Sequence, residues 1–216
     1  MSAPADEETG KQSAALSDAR AFWLTFVFGS LMVPLAIGLA ALLKVDLAAM
    51  LTGAIADAGY GVAATIPLLV FLAWFAKTEI GVMKRFRDSQ IEFFSNIGFE
   101  FTTLRIVLLA IVAGVGEELL FRGVLQGAAM RAMPLSLAII VPNIFFGLLH
   151  ARTLLYALIA ALIGVWLGLV AHFTAGLIAP IVAHGLYDLV AFEYTRRELR
   201  RWRAEQGQAW SAGRQI

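Results

Sequence analysis

The sequence predicts an all-α membrane protein, a polytopic bundle of about six transmembrane helices with one further helix in the membrane interface. Two observations support this fold class. Hydrophobic residues make up 60% of the 216 residues and charged residues 15%, with a mean hydropathy of +0.77. A soluble domain is nearer to half apolar and a quarter charged. The apolar residues are also gathered into long runs, and a helix needs roughly 20 apolar residues to cross a bilayer.

The chain is predicted to have three parts. Residues 1–20 are polar and do not read as a signal peptide, so we expect a disordered tail there. A transmembrane domain follows over residues 21–195, and a basic tail over residues 196–216. The six predicted spans run over residues 21–43, 60–75, 104–125, 135–150, 153–173 and 176–194, of which the second and fourth are short for a full crossing.

The interfacial helix is predicted between the second and third spans. A basic loop there contains Lys77, Lys84, Arg85 and Arg87. It is followed by the apolar residues Ile91, Phe93, Phe94, Ile97, Phe99 and Phe101. Apolar side chains beside positive charges are typical of a helix that lies in the headgroup region.

The orientation follows from the distribution of basic residues, which favour cytoplasmic loops. The C-terminal segment carries Arg196, Arg197, Arg200, Arg201 and Arg203. Placing this segment in the cytoplasm places the 77–87 loop, Arg152 and the N terminus there too, and leaves Asp46, Asp57 and the turn at 174–176 on the other side. Both termini are therefore predicted to be cytoplasmic. We expect a bacterial inner membrane from the length and the lack of a targeting signal, with an internal membrane of another cell as the alternative.

Composition also excludes several classes of function. The net charge of +1 gives no basic field for nucleic acid. The chain has no cysteine, which excludes disulfides, thiolate metal sites and a cysteine nucleophile. The expected partners are membrane lipids and a membrane-associated peptide or protein substrate.

Ionisable residues inside the predicted spans are the candidate functional residues, because each costs several kcal/mol to insert. These ionisable residues are Glu117, Glu118 and Arg122 in the third span, His150 in the fourth, and His184 and Asp188 in the sixth. Phe146 in the fourth span belongs to the same motif as His150 and is included with them. His172 lies outside these motifs and is interpreted as structural.

The spacings within the motifs predict which side chains face one another. Glu118 and Arg122 are four residues apart, the favourable order for a helical ion pair. Glu117 lies about 100° further round that helix. The residues of the other two motifs are also four apart, so each pair shares a helical face. We therefore expect Glu117 to meet the side chains of the fourth and sixth spans in one cavity, which would offer a general base, imidazoles and hydrogen-bond donors.

The ordered set Glu117-Glu118-x-x-x-Arg122, Phe146-x-x-x-His150 and His184-x-x-x-Asp188 resembles the CAAX-protease and bacteriocin-processing family of intramembrane endopeptidases. This family includes the Ras-converting CAAX endopeptidases. The resemblance implies that Glu117 and His150 activate water and that Glu118 and Arg122 organise the site. It further implies that His184 and Asp188 stabilise the oxyanion. Because an ionised carboxylate only accepts hydrogen bonds, Asp188 would have to be protonated or instead orient His184.

A metal-dependent and a metal-free mechanism both remain open at this stage. A catalytic zinc ion commonly takes three protein ligands, and Glu117, His150 and His184 are the candidates. No HExxH motif places two of them on one helix. We slightly favour the metal-free alternative, in which a buried carboxylate activates water directly.

The predicted function is hydrolysis of a peptide bond in a membrane-associated or lipidated peptide. One alternative is a non-catalytic peptide-binding or self-immunity membrane protein. Another is a proton-coupled transporter, although no internal repeat is evident. The substrate is left open between a prenylated C terminus, a leader peptide and a sorting-type signal.

Overall fold

The computed structural model describes residues 17–53 and 55–212, and these are helical with short connections. The helices are α1 Asp18–Ser30, α2 Met32–Leu43, α3 Leu47–Met50, α4 Ile55–Lys77, α5 Gly81–Ser95, α6 Thr103–Glu118, a π-helical segment Leu119–Gln126, α7 Gly127–Ala129, α8 Leu135–Leu149, α9 Leu154–Phe173 and α10 Ile178–Ala212. No strand occurs within these two ranges.

Every predicted span coincides with helix, so the all-helical class is confirmed. Within the described residues, three helical stretches are long and apolar enough to cross a membrane, namely Asp18–Leu43, Ile55–Lys77 and Leu154–Phe173. Leu135–Leu149 is apolar but shorter. The total of six crossings stays a prediction.

The region predicted as a basic loop and an interfacial helix is built differently. Helix α5 begins at Gly81 and thus includes most of the basic residues, and it ends at Ser95. The chain then turns at Gly98, whose φ of 89° lies in the left-handed region that favours glycine. Beyond this turn Phe99 and Phe101 are buried in a cluster with Phe22 of α1. Phe93 and Phe94 therefore lie in α5, whereas Phe99 and Phe101 lie in the buried segment after Gly98, which we call the return segment.

The N-terminal boundary also differs from the prediction. Residues 1–16 of the predicted tail lie outside the described residues, and α1 begins at Asp18, inside the predicted tail. The Asp18 carboxylate accepts a hydrogen bond from the Glu100 backbone N–H at 2.7 Å and pairs with Arg105. These contacts join the start of α1 to the start of α6 and stabilise the additional helical residues.

At the other end of the chain, the predicted basic tail continues α10. The helix extends to Ala212, and Leu199 is only 4% exposed because it packs in the cluster that contains Phe22. Leu199 therefore holds this part of α10 against the bundle, and Arg196 beside it donates to the Thr103 hydroxyl at 3.1 Å.

The segments that connect the helices contact one another at two ends of the bundle. At one end Arg105 pairs with Asp18, and Arg152 lies 3.7 Å from the centre of the Phe93 ring. At the other end the Leu177 backbone N–H donates to the Met50 carbonyl oxygen at 2.8 Å. This grouping agrees with the two sides assigned from the basic residues.

Close approach between helices depends on glycine. The backbone of α6 at Gly114 lies against α10, where a Cβ atom would come within 3.0 Å of the Gly185 nitrogen. A Cβ at Gly147 of α8 would lie 2.8 Å from the Ala161 Cβ of α9 and closer still to a backbone oxygen. Small residues permit such contacts in membrane bundles. They bring α6, α8, α9 and α10 together around the candidate site.

Candidate active site

A buried ion pair forms the base of the site. The side chains of Glu118 and Arg122 are both fully buried, and Arg122 Nη1 donates to Glu118 Oε1 at 2.8 Å. Arg122 Nη2 donates to Asn143 Oδ1 at 3.0 Å and to the Gly164 carbonyl oxygen at 2.9 Å. Arg122 is therefore held by groups from α8 and α9 as well as by its ion-pair partner. Several charge-assisted hydrogen bonds in a dry environment fix the position of the Glu118 carboxylate.

The π-helical segment begins immediately after Glu118 and contains Arg122. π-Helical turns are rare and occur often at functional sites. Here the pair forms across the junction, since Glu118 ends α6 and Arg122 lies within the wider turns that follow. The hydrogen-bond pattern of the backbone thus changes at the site itself.

His184 joins the ion pair to the other carboxylates. Its Nδ1 lies 2.7 Å from Glu118 Oε1, the same oxygen that Arg122 contacts. Because a carboxylate accepts, this geometry assigns a proton to Nδ1. The other nitrogen, Nε2, faces Glu117 Oε2 at 3.9 Å and Asp188 Oδ2 at 3.5 Å. His184 therefore stands between the fixed carboxylate and two carboxylates of the cavity.

His150 follows the last residue of α8. Its Nδ1 lies 2.8 Å from the Phe146 carbonyl oxygen, so Nδ1 donates and Nε2 is left with its lone pair. The Phe146 ring packs against the His150 ring with 4.5 Å between centroids and lies 4.8 Å from the Arg122 guanidinium carbon. Phe146 thus keeps the imidazole and the buried guanidinium apart while it contacts both.

One cavity of about 360 Å³ connects these groups. Of the seven candidate residues, those that line it are Glu117, Phe146, His150, His184 and Asp188. Glu118, Arg122 and His172 do not line the cavity. Along α10 the lining runs from His184 to Thr195, which is roughly 16 Å at the rise of an α-helix. The cavity is therefore long, and the candidate residues His184 and Asp188 lie towards one end of the α10 lining.

Residues 99–190 match the family of Rce1-like type II CAAX prenyl endopeptidases. No curated protein and no solved structure matches the chain. The Rce1-like match contains all seven candidate residues, and it confirms the resemblance that was predicted from the three ordered motifs.

The Rce1-like segment also contains polar residues that the sequence analysis passed over. Asn143 is buried and donates to the Ile139 carbonyl oxygen at 2.7 Å while it accepts from Arg122. Gln126 is buried and donates to the Gly168 carbonyl oxygen at 2.9 Å. Both are lone polar residues in apolar runs, so the rule that singled out the charged residues would also have found them.

The Rce1-like region contains the three predicted metal ligands, Glu117, His150 and His184. No group of three or more histidine, aspartate or glutamate side chains is arranged to hold a metal ion in the described ranges. Of the candidates Glu117, His150 and His184, the last has its Nδ1 occupied by Glu118, and its Nε2 lies 3.9 Å from Glu117. The three predicted ligands therefore do not form a three-ligand group in this arrangement, whereas the hydrogen bond at Nδ1 alone would leave Nε2 of His184 available.

Proposed function

We propose that the chain is an intramembrane endopeptidase that hydrolyses a peptide bond of a membrane-associated or lipidated peptide. The observation that carries this proposal is the cavity that Glu117, His150, His184 and Asp188 share within the Rce1-like segment. A carboxylate and two imidazoles beside a fixed ion pair offer the groups that amide hydrolysis needs.

In the proposed mechanism Glu117 accepts a proton from a water molecule in the cavity. His150 orients that water through Nε2, which is free to accept a hydrogen bond because Nδ1 donates to a carbonyl. The water oxygen attacks the scissile carbonyl carbon, and the C=O electron pair moves to the oxygen. When the tetrahedral intermediate collapses, the C–N bond breaks and protonated Glu117 returns its proton to the leaving amine.

His184 and Asp188 are assigned supporting roles. With Nδ1 committed to Glu118, only Nε2 of His184 can reach a substrate, and it donates there when both ring nitrogens carry protons. Asp188, 3.5 Å from Nε2, orients the ring and does not contact the oxyanion itself. Glu118 and Arg122 hold the imidazole in place from behind.

We further propose a metal-free, glutamate-type reaction. The lack of a three-ligand arrangement in the described part of the chain supports it. Every step above uses only the chain's own groups and water. Cleavage that persists in a metal chelator would support this mechanism, whereas activity that is lost and then restored by zinc would contradict it.

The proposed substrate is a peptide with a prenylated C-terminal CAAX sequence, because the matched family is described by that activity. The length of the cavity and the aromatic side chains along it suit an apolar group attached near the scissile bond. We also propose six membrane crossings with both termini in the cytoplasm of a bacterium and the protein in the inner membrane. The contacts at the two ends of the bundle support a two-sided grouping of the connections, and the basic residues at one end support its cytoplasmic assignment.

A fluorogenic farnesylated peptide ending in CAAX tests the function in proteoliposomes. We expect the wild-type protein to cleave it and Glu117→Gln to lower kcat/KM by about 10²–10⁴-fold, the usual contribution of a general base. Glu198→Gln is the control, since Glu198 pairs with Arg201 outside the cavity. The same peptide without the farnesyl group separates lipid recognition from peptide recognition. Binding without cleavage by the wild-type protein would favour the non-catalytic alternative.

A further inference from the structure

Among the candidate residues that line the cavity, most of the free polar groups are hydrogen-bond acceptors, and Nε2 of His184 is their one donor to a substrate. Glu117 and Asp188 offer carboxylate oxygens, and His150 has its Nδ1 proton bound to a carbonyl. His184 has its Nδ1 proton bound to Glu118. A tetrahedral intermediate requires donors directed at its oxyanion. A neutral side chain that carries an O–H group would supply what these residues lack.

Tyr156 is such a side chain. It lies in the first turn of α9, where its backbone N–H donates to the Thr153 hydroxyl at 3.1 Å, and its side chain lines the cavity. The phenol ring packs edge-on against His150, with 5.7 Å between centroids and an interplanar angle of 82°. It also contacts Phe86 of α5 at 5.7 Å. Its hydroxyl has no hydrogen-bond partner among the described residues.

The position of Tyr156 differs from that of the other cavity tyrosine near the site. Tyr156 is close enough to interact electrostatically with both Glu117 and Asp188. Tyr187 interacts with Asp188 and with Tyr156. Tyr156 thus packs against the imidazole of His150 and lies within electrostatic range of both carboxylates, on the side of the cavity where the scissile carbonyl would bind.

We propose that Tyr156 is a further catalytic residue, whose O–H group donates a hydrogen bond to the oxyanion of the tetrahedral intermediate. This inference rests on the proposed endopeptidase function. In the step concerned, the water oxygen forms a bond to the carbonyl carbon, Glu117 takes the water proton, and negative charge collects on the carbonyl oxygen. The phenol keeps its proton throughout and stabilises that charge. On collapse the charge returns to the C=O bond and the hydrogen bond weakens.

The substitution Tyr156→Phe tests this role, because it removes the hydroxyl and keeps the ring that packs on His150. With the farnesylated CAAX peptide we expect kcat to fall by about 10²–10³-fold, the usual loss for one oxyanion donor, while KM changes little. The fold-decrease in kcat for Tyr187→Phe should be at least about ten times smaller than that for Tyr156→Phe. Tyr60→Phe, which removes an exposed phenol from α4, should match the wild type.

Three results would overturn the inference. One is a kcat for Tyr156→Phe within about threefold of the wild type, and another is a raised KM with an unchanged kcat, which indicates uniform binding. The third is an equal loss in Tyr156→Phe and Tyr187→Phe. The control Glu117→Gln distinguishes this failure from failure of the function: cleavage that requires Glu117 but not the Tyr156 hydroxyl retains the endopeptidase and rejects the tyrosine. If the wild-type protein leaves the peptide intact, the proposed function and this inference are both rejected.

Discussion

At the scale of single residues, one oxygen atom organises the candidate site. Glu118 Oε1 accepts from Arg122 at 2.8 Å and from His184 at 2.7 Å. The carboxylate therefore fixes an imidazole on α10 relative to a guanidinium in the π-helical segment. Arg122 is in turn fixed by Asn143 and by the Gly164 carbonyl oxygen. The geometry at the cavity depends on polar groups that do not line it.

Asn143 gives a prediction at this scale. Asn143→Ala removes one of the two acceptors of Arg122 Nη2 and leaves the guanidinium with one fewer buried partner. We expect the free energy of unfolding to fall by about 1–3 kcal/mol, the cost of a buried unsatisfied polar group. Cleavage of the farnesylated peptide should weaken as well, because Glu118 and His184 lose part of their support. Unfolding in detergent micelles and the peptide assay measure the two effects.

Asn96→Ala is the matched control for this change. Its amide donates to the Glu92 carbonyl oxygen at 3.0 Å at an exposed position, so its loss should change stability and activity little. Equal stability of Asn143→Ala and Asn96→Ala would contradict the support assigned to Asn143.

At the scale of helices, the contact between α8 and α9 is set by Gly147. Gly147→Ala should destabilise the protein by about 1–3 kcal/mol, since the new Cβ must displace α9 or shift α8. The displacement would also move His150, three residues further along the chain. Thermal unfolding in micelles and the peptide assay measure the outcome.

Gly38→Ala in α2 is the comparison for that substitution. A Cβ at Gly38 meets no atom within 4 Å, and alanine favours helix over glycine by about 1 kcal/mol. This variant should be as stable as the wild type or slightly more so. If Gly147→Ala unfolds at the same temperature as Gly38→Ala, the α8–α9 contact is not the constraint described here.

Helices and candidate residues could be predicted from sequence because apolar runs and four-residue spacings are local signals. The ion pair of Glu118 and Arg122 is such a case. The π-helical segment could not be predicted, because its apolar pattern is that of an α-helix and only the backbone hydrogen bonds differ. Tyr156 was missed for another reason: it is 39 residues from Glu117 in the sequence and lies near it only through the packing of α9.

The end of α5 was mispredicted because a local apolar pattern cannot reveal a turn that tertiary packing stabilises. Phe99 and Phe101 continue the aromatic pattern of α5, but Gly98 breaks the helix before them. Their burial against α1 then stabilises the return segment. The exact number of crossings is likewise not a local property of the sequence.

At the scale of the whole molecule, the orientation in the membrane gives a further prediction. The chain has no cysteine, so a single introduced cysteine can be labelled without background. Thr52 and Arg85 are both exposed and belong to opposite ends of the bundle. In intact cells a membrane-impermeant maleimide should label Thr52→Cys. Arg85→Cys should react only after the membrane is permeabilised, because its segment is predicted to be cytoplasmic.

The unsubstituted protein is the blank in this experiment, and both variants should label after permeabilisation. Labelling of Arg85→Cys but not Thr52→Cys in intact cells would establish the reverse orientation. Labelling of both in intact cells would contradict a two-sided arrangement of these ends.

The π-helical segment constrains the number of residues that can lie between Glu118 and α7. A deletion of one residue in 119–126 would allow an ordinary α-helix to form, and each residue of that helix turns by about 100°. A π-helix winds by less than 100° per residue, so the shortened helix would keep Gln126 near its Gly168 partner but would turn Arg122 relative to Glu118 and break the geometry of their ion pair. Insertions and deletions between α7 and α8 carry no such cost, since a connection absorbs them. Along this chain, tolerance to length variation should therefore be lowest where the backbone winding is widest.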